Sequence, residues 1–266
     1  MVSRSSSRHY SFVKLSKISI ITASFNSEAT IHDAISSVND QSYPNIEHVF
    51  IDGASNDRTL EIVKEESRVE NSIISEPDTG IYDALNKGIQ HATGDVIGFL
   101  HADDYLNDSY VLESIAERFT CSQTQAVYGD LIYVSRENSE KVIRYWRAGP
   151  FSESRLKWGW MPPHPTFYVR RSWYERIGGF DTKYRIAADY DSILKLFSHP
   201  DFQVEYIPEV LVKMRLGGIS NNSLRSIIQK MQEDLRVVRS SGLGGIGTLL
   251  GKNLQKLQQF WKTDRK

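Results

Sequence analysis

The apolar run Asp95-Val-Ile-Gly-Phe-Leu100 stops abruptly at His101-Ala-Asp-Asp104, and no other feature of the chain constrains its fold as strongly. Such a run, bounded by polar residues, reads as a short buried strand over Val96–Leu100. Two adjacent carboxylates at its end put hard oxygen atoms at the carboxyl edge of a sheet, where open α/β folds hold their ligands. Oxygen ligands of this kind suit Mg²⁺ or Mn²⁺. The same pair is also an ordinary loop and helix-start signal, so the rest of the chain has to decide between the two readings.

From Lys17 onward, short β-branched runs alternate with helical periods, the pattern of a mainly parallel sheet wrapped by helices. Strands are expected at Ile18–Ala23, Glu47–Asp52, Ser72–Ser75 and Val96–Leu100. Ile31, Ala34, Ile35 and Val38 recur at i, i+3, i+4, i+7 and mark one helix face. A second helix, capped by Asn56 or Asp57, runs through Glu66, and Ile81, Leu85 and Ile89 mark a third. A helix over Ser109–Phe119 follows, then a hairpin of Ala126–Val134 with Lys141–Trp146. The second half is less regular. An aromatic and proline-rich stretch from Phe151 to Pro165 is long enough for a lid or binding loop. A short strand at Thr166–Val169, a helix over Ala187–Phe197, a strand pair around Val204–Met214, Gly217-Gly218 and further helix complete the chain.

The 266 residues suffice for one large domain or one domain with an appendage. With 32 basic against 33 acidic residues the net charge is -1, so no bulk field draws in nucleic acid and any anion must be held locally. The single cysteine, Cys121, excludes an internal disulfide framework and fits a reducing compartment. No apolar run is long enough to span a membrane, and residues 1–16 lack the apolar core of a signal peptide. These residues are expected to form a flexible tail of a cytoplasmic protein.

Each early strand ends in polar residues: Thr22-Ala-Ser-Phe-Asn26, Asp52-Gly-Ala-Ser-Asn-Asp57, Glu76-Pro-Asp-Thr-Gly80 and His101-Ala-Asp-Asp104. Parallel strands present their carboxyl ends on one edge, so the four clusters should converge on one crevice.

These segments, with Ser75-Glu-Pro-Asp-Thr-Gly-Ile-Tyr-Asp-Ala-Leu-Asn-Lys-Gly88 and Ala187-Ala-Asp-Tyr-Asp191, resemble family 2 of the nucleotide-sugar-dependent glycosyltransferases of the GT-A fold. The likeness covers about Lys17 to Ser220 and looks most like the exopolysaccharide and capsule branch, including the colanic-acid type. It implies a GT-A catalytic domain over 17–220, a helical extension over 221–266, and an inverting transfer of sugar from a nucleotide-sugar to a saccharide or lipid-linked acceptor. UDP is the donor nucleotide the family favours, with GDP next.

The resemblance also implies roles. Asp52 would meet the nucleotide base, with Thr22, Ser24 and Asn26 lining the same pocket and Asp78, Asn86 and Lys87 on the nucleotide side. Asp104 would ligate Mn²⁺ or Mg²⁺, and Asp103 the ribose or the ion. Asp189 matches the catalytic aspartate of an E-D pattern, with Ala188 replacing the glutamate; a base there suits inverting transfer, which must remove the acceptor's hydroxyl proton. The chain departs from the family at His101, where many members carry an acid, at Gly53, where many have a second aspartate, and at Leu85, where some have arginine.

Aromatic faces stack on sugars, so Trp158, Trp160 and His164 form a possible acceptor wall, with a packed core loop as the alternative. Arg215, Gly217 and Gly218 could close over the diphosphate, or simply form a turn. Ile246, Leu249, Leu250, Leu254, Leu257 and Trp261 share one helical face, with Lys252, Lys256, Lys262, Arg265 and Lys266 toward the other or at the end. This reads as a basic amphipathic helix lying on the inner face of the plasma membrane, or packing on the domain or a second subunit. A nucleotidyltransferase and a non-catalytic saccharide-binding protein remain alternatives; the first needs a basic triphosphate loop that Thr22–Asn26 lacks, and the second would be expected to lose Asp104 or Asp189.

Overall fold

The computed structural model describes residues 16–216 and 224–258. Its elements, in order, are β1 (Ile18–Ser24), α1 (Ile31–Asn39), β2 (Ile46–Asp52), α2 (Thr59–Glu66), β3 (Glu70–Ser75), α3 (Ile81–His91), β4 (Val96–Phe99), β5 (Tyr105–Leu106), α4 (Val111–Arg118), β6 (Ala126–Val134) and β7 (Val142–Trp146). Then come α5 (Glu153–Lys157), β8 (Tyr168–Arg170), α6 (Arg171–Ile177), α7 (Ala188–Phe197), β9 (Val204–Arg215), α8 (Leu224–Ser240) and α9 (Ile246–Gln258).

One sheet runs in the order β3-β2-β1-β4-β8-β6-β9-β5, with β7 on β6. The strands β3, β2, β1 and β4 are mutually parallel, as their alternation with helical segments predicts. Beyond β4 the sheet is mixed: β8 is antiparallel to β4 and β6, whereas β9 is parallel to β6. On β1, Ile18 and Ile20 join one core cluster with Ala34 and Val38 of α1. Ile21 and Ala23 join another with Ala84, Leu85 and Ile89 of α3. Helices therefore cover both faces, and the polar strand ends are left along the edge.

Three expectations change. The strand pair around Val204–Met214 is the single strand β9, and its register against β6 shifts between Tyr128 and Asp130. Pro208, which reads as a turn, lies within that irregularity, where its missing N–H interrupts no regular ladder. The Phe151–Pro165 stretch is not an open loop: it holds α5 and buries Leu156, Trp160 and Met161. Lys252 is not on a solvated basic face. It is 7 % exposed, its ammonium lies 2.9 Å from Asp234 Oδ1, and it sits 3.4 Å from the Tyr190 ring centroid.

The C-terminal helices are built into the main core. Val237 and Val238 of α8 are fully buried in the cluster that includes Ile21, Tyr190 and Trp160. On α9, Thr248 donates to the Lys157 carbonyl, and any side chain at Gly159 would meet the Thr248 carbonyl. Leu249 packs against this core, whereas Ile246, Leu250 and Leu254 are exposed. The side chains of Lys256 and Leu257, and residues Trp261, Lys262, Arg265 and Lys266, lie outside what the structure describes, as do 1–15 and Gly217-Gly218. No helix among the described residues is long and apolar enough to cross a membrane.

Candidate active site

Parallel pairing aligns Ser24 with Asp52 and Asp52 with Ser75, so three strand ends meet at one carboxylate. Asp52 is 1 % exposed. Its oxygens accept from Ser24 Oγ at 3.3 Å, Ser75 Oγ at 2.8 Å, Ser55 N at 2.9 Å and the Ser55 hydroxyl. A buried carboxylate with this many donors fixes the loop around it. Asn26, in the left-handed region at φ 48°, ties the first loop to the second: its N–H donates to Ser55 Oγ at 2.8 Å and its Oδ1 accepts from Asn56 N at 3.0 Å. Thr22 is fully buried and bonds His48 Nε2 at 2.9 Å, so it belongs to the sheet interior below this edge.

At the tip of the first loop Phe25 is 61 % exposed, a residue the sequence reading did not single out. It lies beside Gly53, where a Cβ would come within 3.4 Å of the Phe25 ring and 2.6 Å of Asp78 Oδ2. A side chain at position 53 would therefore displace the Asp78 carboxylate from its present place. Asp78 also accepts the Gly80 N–H at 2.8 Å. Asn86 uses both ends of its amide on the Phe180 backbone, at 2.9 and 2.8 Å. Lys87 is held by Glu76 at 2.8 Å and the Pro77 carbonyl at 3.1 Å. Both therefore brace neighbouring loops.

The turn after β4 presents Asp103 at the surface and Asp104 in the interior. Asp104 is fully buried; Oδ1 accepts Arg215 N at 3.3 Å, and Oδ2 has no hydrogen-bond partner. Burial, with the charge of Asp103 beside it, holds this carboxyl well above the usual range. Arg215 sits beneath the turn instead of extending into solvent: Nη1 donates to the Asp103 carbonyl at 3.0 Å, Nη2 pairs with Asp33, and the guanidinium lies 4.9 Å from the Tyr105 ring centroid.

His101, at the head of this turn, reaches His164. Its Nε2 lies 3.1 Å from His164 Nε2, and His164 Nδ1 lies 3.4 Å from Asp189 Oδ2. Burial holds both imidazoles below their usual value, His164 at about 4. Asp189 opens α7, with its side chain 20 % exposed. Burial alone would raise its carboxyl, but the neighbouring His164, the charges of Lys230 and Lys252, and the Tyr190 N–H hold it below the usual carboxylate range. Asp191 pairs with Lys195 one turn on, at 2.7 Å.

Of the two tryptophans, Trp158 is 66 % exposed and Trp160 only 3 %. Trp160 donates to the Ala148 carbonyl at 2.9 Å and packs against Tyr128 and Phe197. It offers no face to a ligand, because sealing the core took precedence over lining the crevice.

A family model described as glycosyl transferase family 2 matches residues 19–186. The chain belongs to that family. A "PGL/p-HBAD biosynthesis glycosyltransferase" of Mycobacterium tuberculosis is 32 % identical over 208 residues, covering 76 % of this chain and 78 % of the relative. Among solved structures, S. aureus TarS 1-349 in complex with UDP-GlcNAc matches with a TM-score of 0.64 at 16 % identity, covering 92 % of this chain and 73 % of that one. The mannosyltransferase PcManGT of Pyrobaculum calidifontis, in complex with GDP-Man and Mn²⁺, matches with a TM-score of 0.63 at 17 % identity, covering 94 % and 70 %. The α/β architecture is that of the GT-A glycosyltransferases, and the protein is a glycosyltransferase of glycan biosynthesis.

Two residues that hold Asp189 or the backbone ahead of it escaped the sequence because nothing local marks them. Tyr82 Oη lies 3.1 Å from Asp189 Oδ1 and 2.8 Å from the Ile186 carbonyl. Glu233, on α8, accepts the N–H groups of Ile186 and Ala187 at 2.8 and 3.1 Å, fixing the backbone that leads into Asp189.

A divalent ion at this edge would need hard oxygen donors. The unpartnered, buried Asp104 Oδ2 and the adjacent Asp103 make a donor pair. No cluster of three or more ligating side chains occurs among the described residues. One or two carboxylates completed by substrate phosphates is the usual arrangement for Mg²⁺, so the residues fit the group.

Proposed function

We propose that this enzyme transfers a sugar, with inversion, from a nucleotide-sugar of the UDP class to a saccharide or lipid-linked saccharide acceptor during exopolysaccharide-type synthesis. The observation that carries the reading is the convergence of the aspartate turn at His101–Asp104 with Asp189, linked by His164 over contacts of 3.1 and 3.4 Å. It brings a candidate donor edge and a candidate base to the same crevice.

Phe25 offers an exposed ring to the nucleobase, beside Gly53 and Asp78. Ser24, Asn26 and Asp52 keep that loop in place, with Thr22 anchoring β1 beneath it. Asn86 and Lys87 support the wall from α3. Asp104 and Asp103 would hold Mn²⁺ or Mg²⁺, which when bound offsets the charge developing on the leaving diphosphate. Asp189, ionised at neutral pH, takes the proton of the acceptor hydroxyl as that oxygen attacks C1 from the face opposite the leaving group. Direct displacement requires no covalent nucleophile.

Trp158 supplies an exposed aromatic surface on the acceptor side, next to α9, where any side chain at Gly251 would meet the Trp158 carbonyl. Beside it, the exposed row of Ile246, Leu250 and Leu254 is the face we assign to the membrane surface that carries a lipid-linked acceptor. A nucleotidyltransferase is disfavoured because Thr22–Asn26 offers no cation for a triphosphate.

The test is a panel of UDP-, GDP- and dTDP-sugars with Mn²⁺, with product configuration read by NMR. Turnover of a UDP-sugar and an inverted product are expected, and Asp189→Asn should lower transfer about 10²- to 10⁴-fold while nucleotide binding persists. A retained anomeric centre, or a fully active Asp189→Asn, would refute the scheme.

A further inference from the structure

We propose that His164 is a positioning residue for Asp189, and that His101 keeps His164 in the tautomer that points an N–H at the Asp189 carboxylate. The inference rests on the reading of Asp189 as the base.

The direction of the chain follows from what each group can donate. An ionised carboxylate only accepts, so the proton on the facing His164 nitrogen, Nδ1, must belong to the imidazole. A neutral imidazole then has a bare Nε2. That Nε2 lies 3.1 Å from His101 Nε2, a distance that calls for one proton between the two nitrogens, and His101 is left as its donor. Reversing the His101 tautomer would set two lone pairs against each other. The order His101 Nε2–H to His164 Nε2, and His164 Nδ1–H toward Asp189 Oδ2, satisfies the whole row with both rings neutral.

The other oxygen of Asp189, Oδ1, accepts from the Tyr82 hydroxyl at 3.1 Å. The Tyr82 hydroxyl has one proton and two acceptors in reach, and the Ile186 carbonyl at 2.8 Å is closer than Asp189 Oδ1 at 3.1 Å. Tyr82 shares its single proton between these two acceptors, so Oδ1 keeps lone-pair capacity for an acceptor hydroxyl while the His164 N–H orients Oδ2. The present 3.4 Å contact from His164 is long, and such contacts tighten in the reacting complex. The arrangement also gives His101 a function in place of the acid that many family members carry: it couples the head of the aspartate turn to the base, 63 residues from its partner in the chain.

The experiment uses the full chain and exploits the fact that Asn places an N–H where His has Nδ1, whereas Gln places it where His has Nε2. His164→Ala and His164→Gln should lower kcat about ten- to a hundredfold, the scale of a misplaced catalytic group, with the donor KM and nucleotide Kd unchanged. His164→Asn should stay within about threefold of wild type, since it keeps the donor to Asp189. In the Asp189→Asn background, His164→Ala should add less than about twofold, because the two residues act as one unit. The Asn and Gln comparison, made on variants whose thermal midpoints match, separates positioning from folding. Equal loss in His164→Asn and His164→Gln, an additive loss in the double variant, or a rise in acceptor KM alone would each overturn the proposal while leaving the base assignment intact. A fully active Asp189→Asn would instead remove the base reading on which it rests.

Discussion

Glu233 of α8 accepts the backbone N–H of Ile186 at 2.8 Å, so a helix near the C-terminus fixes the backbone just ahead of Asp189. Its neighbour Asp234 faces Lys252 of α9 at 2.9 Å, with both side chains under 10 % exposed. The two C-terminal helices are therefore part of the wall behind the proposed base.

Removing one partner of that ion pair should be far worse than removing both. Lys252→Met leaves the Asp234 carboxylate buried and unpaired, and should lower stability by about 3–5 kcal/mol in urea unfolding. Lys252→Met with Asp234→Leu should recover most of the loss. Two single variants of near wild-type stability would show that α9 is not docked as described, and truncation after Ser240 would then be harmless.

Asp104→Asn is a conservative probe of the turn after β4. The amide keeps an oxygen for the Arg215 N–H and replaces the unpartnered Oδ2 with a nitrogen. Transfer should fall by about 10² or more, as when a key electrostatic group is lost. Added Mn²⁺ should restore the wild type after EDTA treatment but not the variant. Full activity of the variant, or indifference of the wild type to EDTA, would remove the ion from this turn.

The pH dependence of stability should carry the signature of His48. Burial holds its imidazole at about 3, against 6.5 for a free histidine, and its Nδ1 has no partner. The unfolded chain therefore binds a proton below pH 6.5 that the folded protein does not accept until near pH 3. Stability is lost as pH falls through that window, by about 1.4 kcal/mol per unit for this group. Comparing wild type with His48→Gln by urea unfolding at pH 7 and pH 5 should show the wild type losing about 2 kcal/mol more. Parallel curves would mean that the ring is accessible to protons in the folded state.

The exposed α9 face can be tested without disturbing the core. Leu250→Asp with Leu254→Asp alters residues that are each 60 % exposed, so the thermal midpoint should hold while sedimentation with anionic liposomes is lost. Activity on a soluble acceptor should persist. Unchanged liposome binding, or loss of a dimer in the variant, would move this face to another role.

Much of the scaffold was legible along the chain. Periods in Ile31–Val38 and continuous apolar runs such as Val96–Phe99 report burial directly, because local repeat and burial share one geometry. The polar strand ends could be placed on one edge for the same reason: parallel strands share a direction. Sequence also marked the residue types with chemistry at that edge, from Asp52 to Asp104 and Asp189. Local pattern could not tell Trp158 from Trp160, or Lys252 from a solvated lysine, since each outcome depends on what packs above it. Nor could it show that His101 faces His164 across 63 residues or that Arg215 braces Asp104 across 111. Those relationships exist only once the sheet has set β4, the loop before β8 and the end of β9 side by side, for a side-chain contact is fixed by the distance between elements and not by the spacing within one.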